Sequence, residues 1–152
     1  MAKGESGFTK AGKGQNNGQN NGYAPGDSPY QAMSREAGQV IRDLGYDPMM
    51  PISMQIPWDE EFSALSDRHY TAIYNSISDG QSPTSRFSKA TGEEILKRVE
   101  RNKVYVADRA RHKGISDAKG NIDEAATVRN YRDEMKKLSA IEEYVKKKLK
   151  RK

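Results

Sequence analysis

The chain contains no cysteine, which excludes disulfide frameworks, thiolate zinc sites, iron–sulfur ligation and cysteine nucleophiles at once. Long aliphatic and Phe side chains are scarce. Leu, Ile, Val and Phe together number 23 in 152 residues, about 15% against the roughly 20% below which charged chains tend to lack a packed core. The mean hydropathy of −0.97 agrees. No apolar run approaches the roughly 18 residues of a membrane span, and none near Met1 reads as a secretory leader. The expectation is a soluble chain with no membrane contact, a small core and much exposed helix.

Charge is abundant instead, at 31% of the residues, and it is segregated. Residues 1–26 carry a net +2, residues 27–88 a net −5 and residues 89–152 a net +8. An acidic middle and a basic tail can pair between subunits, fold back within one chain, or leave the tail free for a polyanion. Composition leaves all three open.

Residues 1–26 read as a disordered arm rich in Gly, Asn and Gln, with almost nothing to bury. Gly7, Gly12 and Lys13 have the spacing of a phosphate-cradling loop, but Gly14 stands where Ser or Thr would hold magnesium. With no strand before it and no helix after it, the loop has no scaffold to aim its amides, so no nucleotide cofactor is expected there. Three further stretches follow: an acidic helical region over 27–80, a polar linker over 81–90 and a basic helical hairpin over 91–152.

The first helix is predicted over about 29–44. Asp27 or Ser28 caps it, Pro29 suits its first position and Gly45 follows its last periodic residue. Tyr30, Met33, Ala37, Val40, Ile41 and Leu44 form one apolar stripe, and Gly38 within it suggests close approach of a neighbouring helix. The connection that follows is unusually apolar, with Met49, Met50, Ile52, Met54 and Ile56. It is expected to tuck under the flanking helices as core; docking a partner is the alternative. A second helix is predicted to start at Asp59-Glu60-Glu61 and to end before Asp79-Gly80, with Phe62, Leu65, His69, Ile73 and Ile77 on one side and Tyr70 and Tyr74 beside them. His69 lacks the companions of a zinc site or a nucleophile, and the acidic triplet matches helix-start chemistry. No catalytic residue, metal ligand or cofactor is therefore assigned, and the chain is expected not to be an enzyme.

In the hairpin, Thr91 with Glu94 and Asn121 with Glu124 each have capping-box spacing, and Lys113-Gly114 ends the first of the two helices. The first helix has a thin stripe at Ile95, Val99, Val106 and Ala110. In the last, Val128, Tyr131, Met135, Leu138, Val145 and Leu149 follow a heptad seam broken where Glu142 takes a core slot. The seam is expected to pack on the preceding helix or on a second subunit, making the chain a homo-oligomer. The polar faces carry Lys97, Arg98, Arg101, Lys103, Arg109, Arg111 and Lys113, and the chain closes with Lys146, Lys147, Lys148, Lys150, Arg151 and Lys152. This terminal run exceeds what a helix dipole needs, and such cations bind the phosphate backbone of DNA or RNA without reading sequence. No RRM, KH or zinc-finger pattern accompanies them. The alternative is a scaffold whose basic tail docks on an acidic protein surface.

Leu44-Gly45-Tyr46-Asp47-Pro48, followed by a short apolar segment and a helix of small and aromatic residues from Leu65 to Ile77, resembles a pattern in small helical proteins of tailed phages. These are similar to terminase small subunits. The resemblance covers about a quarter of the chain and implies a ring-forming protein that presents DNA to a packaging motor, located in the host-cell cytoplasm or the virion, with other virion or packaging proteins as partners. The chain departs from that pattern in having no clear N-terminal helix-turn-helix, so no base-reading residue is carried over. An arm, amphipathic helices and a basic tail suit a capsid-assembly or internal virion protein equally.

Overall fold

The computed structural model describes residues 27–56 and 62–151. The arm expected over 1–26, the acidic triplet Asp59–Glu61 and Lys152 lie outside the described residues. Within them the fold is all-α: α1 (Pro29–Asp43), a 3-10 turn (Ile52–Met54), α2 (Ala64–Ser78), α3 (Lys89–His112) and α4 (Glu124–Lys150).

Each helix end is set by groups within one turn of it. At α1 the Ser28 hydroxyl accepts from the Gln31 amide at 3.1 Å, while the Gln31 side chain accepts from the Ser28 amide at 2.9 Å. This is a reciprocal box with Pro29 at the first position. Gly45, at φ 96°, takes the left-handed conformation that stops the helix. The other three starts differ from expectation. Helix α2 begins behind Ser63, downstream of the acidic triplet, because Ser63 accepts from the Ser66 amide at 3.1 Å. Helix α3 is capped by Ser88, not Thr91: the Ser88 hydroxyl accepts from the Thr91 amide at 3.1 Å. Helix α4 is capped by Asp123, not Asn121, with its carboxylate 3.0 Å from the Ala126 amide. Asn121 is held in the preceding turn, where the Asp117 carboxylate accepts from the amides of Lys119 and Asn121 and a single antiparallel bridge joins Ser116 to Ile122.

Helices α3 and α4 form an antiparallel hairpin, as the meeting of Gly92 with Leu149 and of Ile115 with Thr127 requires. Helices α1 and α2 each lie against both hairpin helices and do not pack on one another. One core results. It takes Met33, Ala37 and Ile41 from α1, Ile73 from α2, Ile95, Val99 and Ala107 from α3, and Tyr131, Leu138, Ile141 and Val145 from α4. Phe87, from the stretch read as a linker, is buried in the same cluster, and the Tyr144 hydroxyl donates to the Ser85 carbonyl at 2.7 Å. The acidic region and the basic hairpin therefore share one interior. Each fully buried Ile, Val, Leu or Met side chain contributes roughly 1.5–3 kcal/mol, so thin stripes suffice when four of them converge.

The methionine-rich connection divides. Ile52 and Ile56 are buried, but Met49 and Met54 are 79% and 72% exposed, against the expectation that the segment tucks in as a whole. Gln55 explains the split. Its side chain accepts from the Asp47 amide at 2.8 Å and donates to the carbonyls of Asp47 and Met50, which closes the loop and turns the methionines outward. On α2, Leu65 is exposed as well, and Ser66 takes the buried position beside it.

Candidate nucleic-acid interface

Folding sorts the cations read from the sequence into three groups. The first group is built into the fold. Arg98 donates from Nε to the Ser66 hydroxyl at 2.7 Å and from Nη2 to the Ser63 carbonyl at 3.0 Å, and its guanidinium lies 4.7 Å from the centre of the Phe62 ring. Beside it the Glu94 carboxylate accepts from the Ser63 amide at 2.5 Å and from both serine hydroxyls. The Ser66 hydroxyl and the Ser63 amide hold this carboxyl below its usual range, with Arg98 adding to the effect. A carboxylate of α3 thus sits at the positive end of α2, and Arg98 is the cation that balances it. Arg101 leans toward the same Phe62 ring, 5.9 Å from its centre.

Lys103 and Arg111 are also structural. The Lys103 ammonium is 3.1 Å from the Glu142 carboxylate. Burial pushes the Glu142 carboxyl up, but the hydrogen bond and charge of Lys103, with Lys146 behind it, outweigh burial and hold the group low. Arg111 reaches across to α1, where Nη1 donates to the Ser34 carbonyl at 2.9 Å. Gly38 is the residue that lets it in, since a Cβ there would collide with the guanidinium.

The second group lies toward the turn of the hairpin, where Arg109 and Lys113 are exposed. Arg109 is about 25 Å along α3 from Gly92, the residue that touches Leu149. Lys97, also exposed, sits between the two ends. The third group is the C-terminal turn and a half of α4. Lys146 pairs with Glu142 at 3.5 Å and Lys148 rests over the Tyr144 ring at 5.4 Å. Lys147, Lys150 and Arg151 are exposed and meet no acidic side chain among the described residues. The basic face is therefore not one continuous surface, and its densest unneutralised part is the end of α4.

Compared with protein-family models, curated proteins and solved structures, the chain matches none.

The seam proposed for self-association is interior. Tyr131, Leu138 and Val145 are buried, and Val128, Met135 and Leu149 pack against the same core. The reason is geometric: α1, α2 and α3 together cover the face of α4 that a second subunit would have used. The acidic and basic segments partly fold back on each other within the chain, through Arg132 on Glu36 at 2.8 Å and Arg98 near Asp67 at 3.5 Å. Among the described residues no three His, Asp or Glu side chains gather as metal ligands, and His69 meets the Phe87 ring edge-on at 5.9 Å. No described helix is long and apolar enough to cross a membrane.

Proposed function

We propose that this chain is a non-enzymatic helical assembly protein that binds the phosphate backbone of nucleic acid through the C-terminal end of α4. The observation that carries the reading is that Lys147, Lys150 and Arg151 lie exposed and close together at the end of α4 with no acidic partner among the described residues, whereas Lys146 and Lys148 beside them rest on Glu142 and Tyr144. A dense cationic helix end attracts phosphates by counterion release, whatever their base sequence. The setting implied by Leu44-Gly45-Tyr46-Asp47-Pro48, phage DNA packaging or capsid assembly, belongs to the proposal. In this reading Leu44 to Pro48 form the stop of α1 and the turn after it.

The test is fluorescence anisotropy of labelled DNA and RNA titrated at several salt concentrations. Binding that falls with a log–log slope of about −3 to −5 is expected from three to five phosphate contacts. Binding that is absent at low salt, or insensitive to salt, overturns the reading. Removing residues 146–152 is expected to abolish most of the affinity.

A second reading is a scaffold whose basic tail docks on an acidic protein. It is favoured by exposed Met49 and Met54, adaptable apolar side chains at the surface. A partner complex that nucleic acid fails to displace supports it.

A further inference from the structure

Helices α2, α3 and α4 border an open cleft of about 430 Å³ lined by Tyr70, Tyr74, Asn102, Tyr105, Arg109 and Glu134. Its size is within the roughly 300–1,000 Å³ of small-ligand sites. The sequence alone gave no reason to group these residues, because they come from three helices.

The lining has three chemically distinct parts. The first is aromatic: Tyr70 and Tyr74 on α2 lie nearly parallel, at 21° with ring centres 6.4 Å apart, and Tyr105 on α3 is 46% exposed. The second is a set of fixed hydrogen-bonding groups. The Asn102 amide donates to the Tyr70 hydroxyl at 2.9 Å, which leaves the Tyr70 proton and the Asn102 carbonyl oxygen without partners. Glu134 accepts from the Tyr74 hydroxyl at 3.0 Å, and the Lys137 ammonium lies 3.7 Å from its other oxygen and 5.3 Å from the Tyr74 ring centre; the carboxylate retains lone pairs for a further donor. Burial pushes both tyrosines above their ordinary value, and Glu134 does so further for Tyr74, so both hydroxyls stay protonated donors at neutral pH. The third is Arg109, an exposed guanidinium with no carboxylate partner.

Flat π-faces, an edge rich in acceptors and an unpaired guanidinium match one class of ligand. We infer that this cleft binds a nucleobase bearing an exocyclic amino group, with Arg109 taking the attached phosphate. Asn102 Oδ1 and Glu134 accept from the amino group, and the Tyr70 hydroxyl donates to a ring nitrogen or carbonyl. Adenine, cytosine and guanine carry such an amino group with two N–H donors; uracil and thymine place a carbonyl there and have the ring N3–H as their one donor on that edge, so they satisfy one acceptor at most. Because a paired base cannot enter, the ligand is a single strand or a free nucleotide. As a feature of a single strand, the inference rests on the nucleic-acid reading above; as a nucleotide site it does not.

The experiment uses the full chain with oligo-dA, oligo-dT, a duplex of mixed sequence, AMP and UMP, each titrated against wild type, Tyr105→Ala, Arg109→Gln and the chain lacking residues 146–152. Tyr105 and Arg109 are exposed, and circular dichroism checks that both variants fold. Oligo-dA is expected to bind more tightly than oligo-dT, and Tyr105→Ala to weaken oligo-dA about 5- to 100-fold, the range for one stacked base, with duplex affinity unchanged. Oligo-dA binding that is equal to oligo-dT and unmoved by either substitution overturns the inference, and tail-dependent duplex binding then leaves the first reading standing. AMP bound in preference to UMP and lost in both variants, without any oligonucleotide binding, supports the cleft as a nucleotide site and removes the tail reading.

Discussion

Lys103 of α3 and Glu142 of α4 stand 3.1 Å apart, in the one slot where the apolar seam of α4 is interrupted. The side chains are 16% and 28% exposed, so the pair is mostly withdrawn from water. An acid in a core position is costly alone and tolerable when a cation faces it. The pair ties the hairpin in one register, since sliding α4 by a turn separates the charges.

Truncating one partner is expected to cost more than replacing both. Lys103→Ala leaves Glu142 half-buried with only Lys146 nearby and should lower stability by about 1–3 kcal/mol. Lys103→Met combined with Glu142→Leu should recover most of that loss. The Glu142 carboxyl is held below its ordinary value when folded, so its contribution is present above the unfolded carboxylate pKa of about 4.3 and disappears as pH falls through the folded value. Thermal melts from neutral to acid pH should therefore converge for wild type and Glu142→Gln. Curves that stay parallel count against this account.

Gly38 and Arg111 are expected to be energetically coupled. Ala is worth about 1 kcal/mol over Gly inside a helix, but a Cβ at Gly38 displaces the Arg111 guanidinium from the Ser34 carbonyl. In the wild-type background Gly38→Ala should give no gain or a net loss. In an Arg111→Ala background the same substitution should stabilise by about 1 kcal/mol. A double-mutant cycle in chemical denaturation measures the difference, and an identical effect in both backgrounds refutes the coupling.

Tyr131 is 1% exposed, and its hydroxyl has no hydrogen-bond partner. Burial, followed by the Glu36 charge, pushes its pKa up to about 12. A raised tyrosine pKa means that the folded state holds its proton longer than the unfolded state does. The associated stability is full below about pH 10 and is lost as pH climbs toward 12, on the order of 3 kcal/mol in all. Tyr131→Phe removes a buried donor that bonds nothing, so it should be neutral or stabilising at pH 7 and should flatten the alkaline limb of the stability curve.

The cations should separate by function under substitution. Changing Lys147, Lys150 and Arg151 to Ala is expected to weaken nucleic-acid binding and reduce its salt slope while moving the melting temperature little. Arg98→Ala and Arg111→Ala should do the reverse, because Arg98 ties α3 to Ser63 and Ser66 at the start of α2 and Arg111 ties α3 to Ser34 of α1. Anisotropy and melting on the same preparations decide the matter: a tail triple variant that unfolds, or an Arg98 variant that melts normally, is the failing result.

The legible part of the fold was the part governed within a few residues. Pro29 after Ser28, Gly45 after Leu44 and Gly114 after Lys113 mark helix ends because capping chemistry and left-handed turns are local. Of the three starts that differ, those of α3 and α4 each have a second capping side chain within three residues, Ser88 before Thr91 and Asp123 after Asn121. A distant contact acts at the first, where Glu94 is drawn to Ser63 and Ser66 of α2, and a neighbouring turn acts at the second, where the Asp117 carboxylate holds the Asn121 amide. The candidate site was legible only as a list of basic residues. Which of them are free depends on partners such as Ser34, 77 positions from Arg111 in the chain, and no periodicity encodes that.

By itself, then, the sequence determined an all-α chain with four apolar stripes, segregated charge and a cationic end on its last helix, because helix periodicity and net charge are properties of neighbouring residues. The tertiary structure decided that the seam of α4 faces inward, that Arg98, Lys103 and Arg111 hold helices together, and that three tyrosines and Arg109 share a cleft. Those outcomes follow from how α1 and α2 cover the hairpin, and only the packed chain brings residues so far apart within hydrogen-bonding and stacking distance.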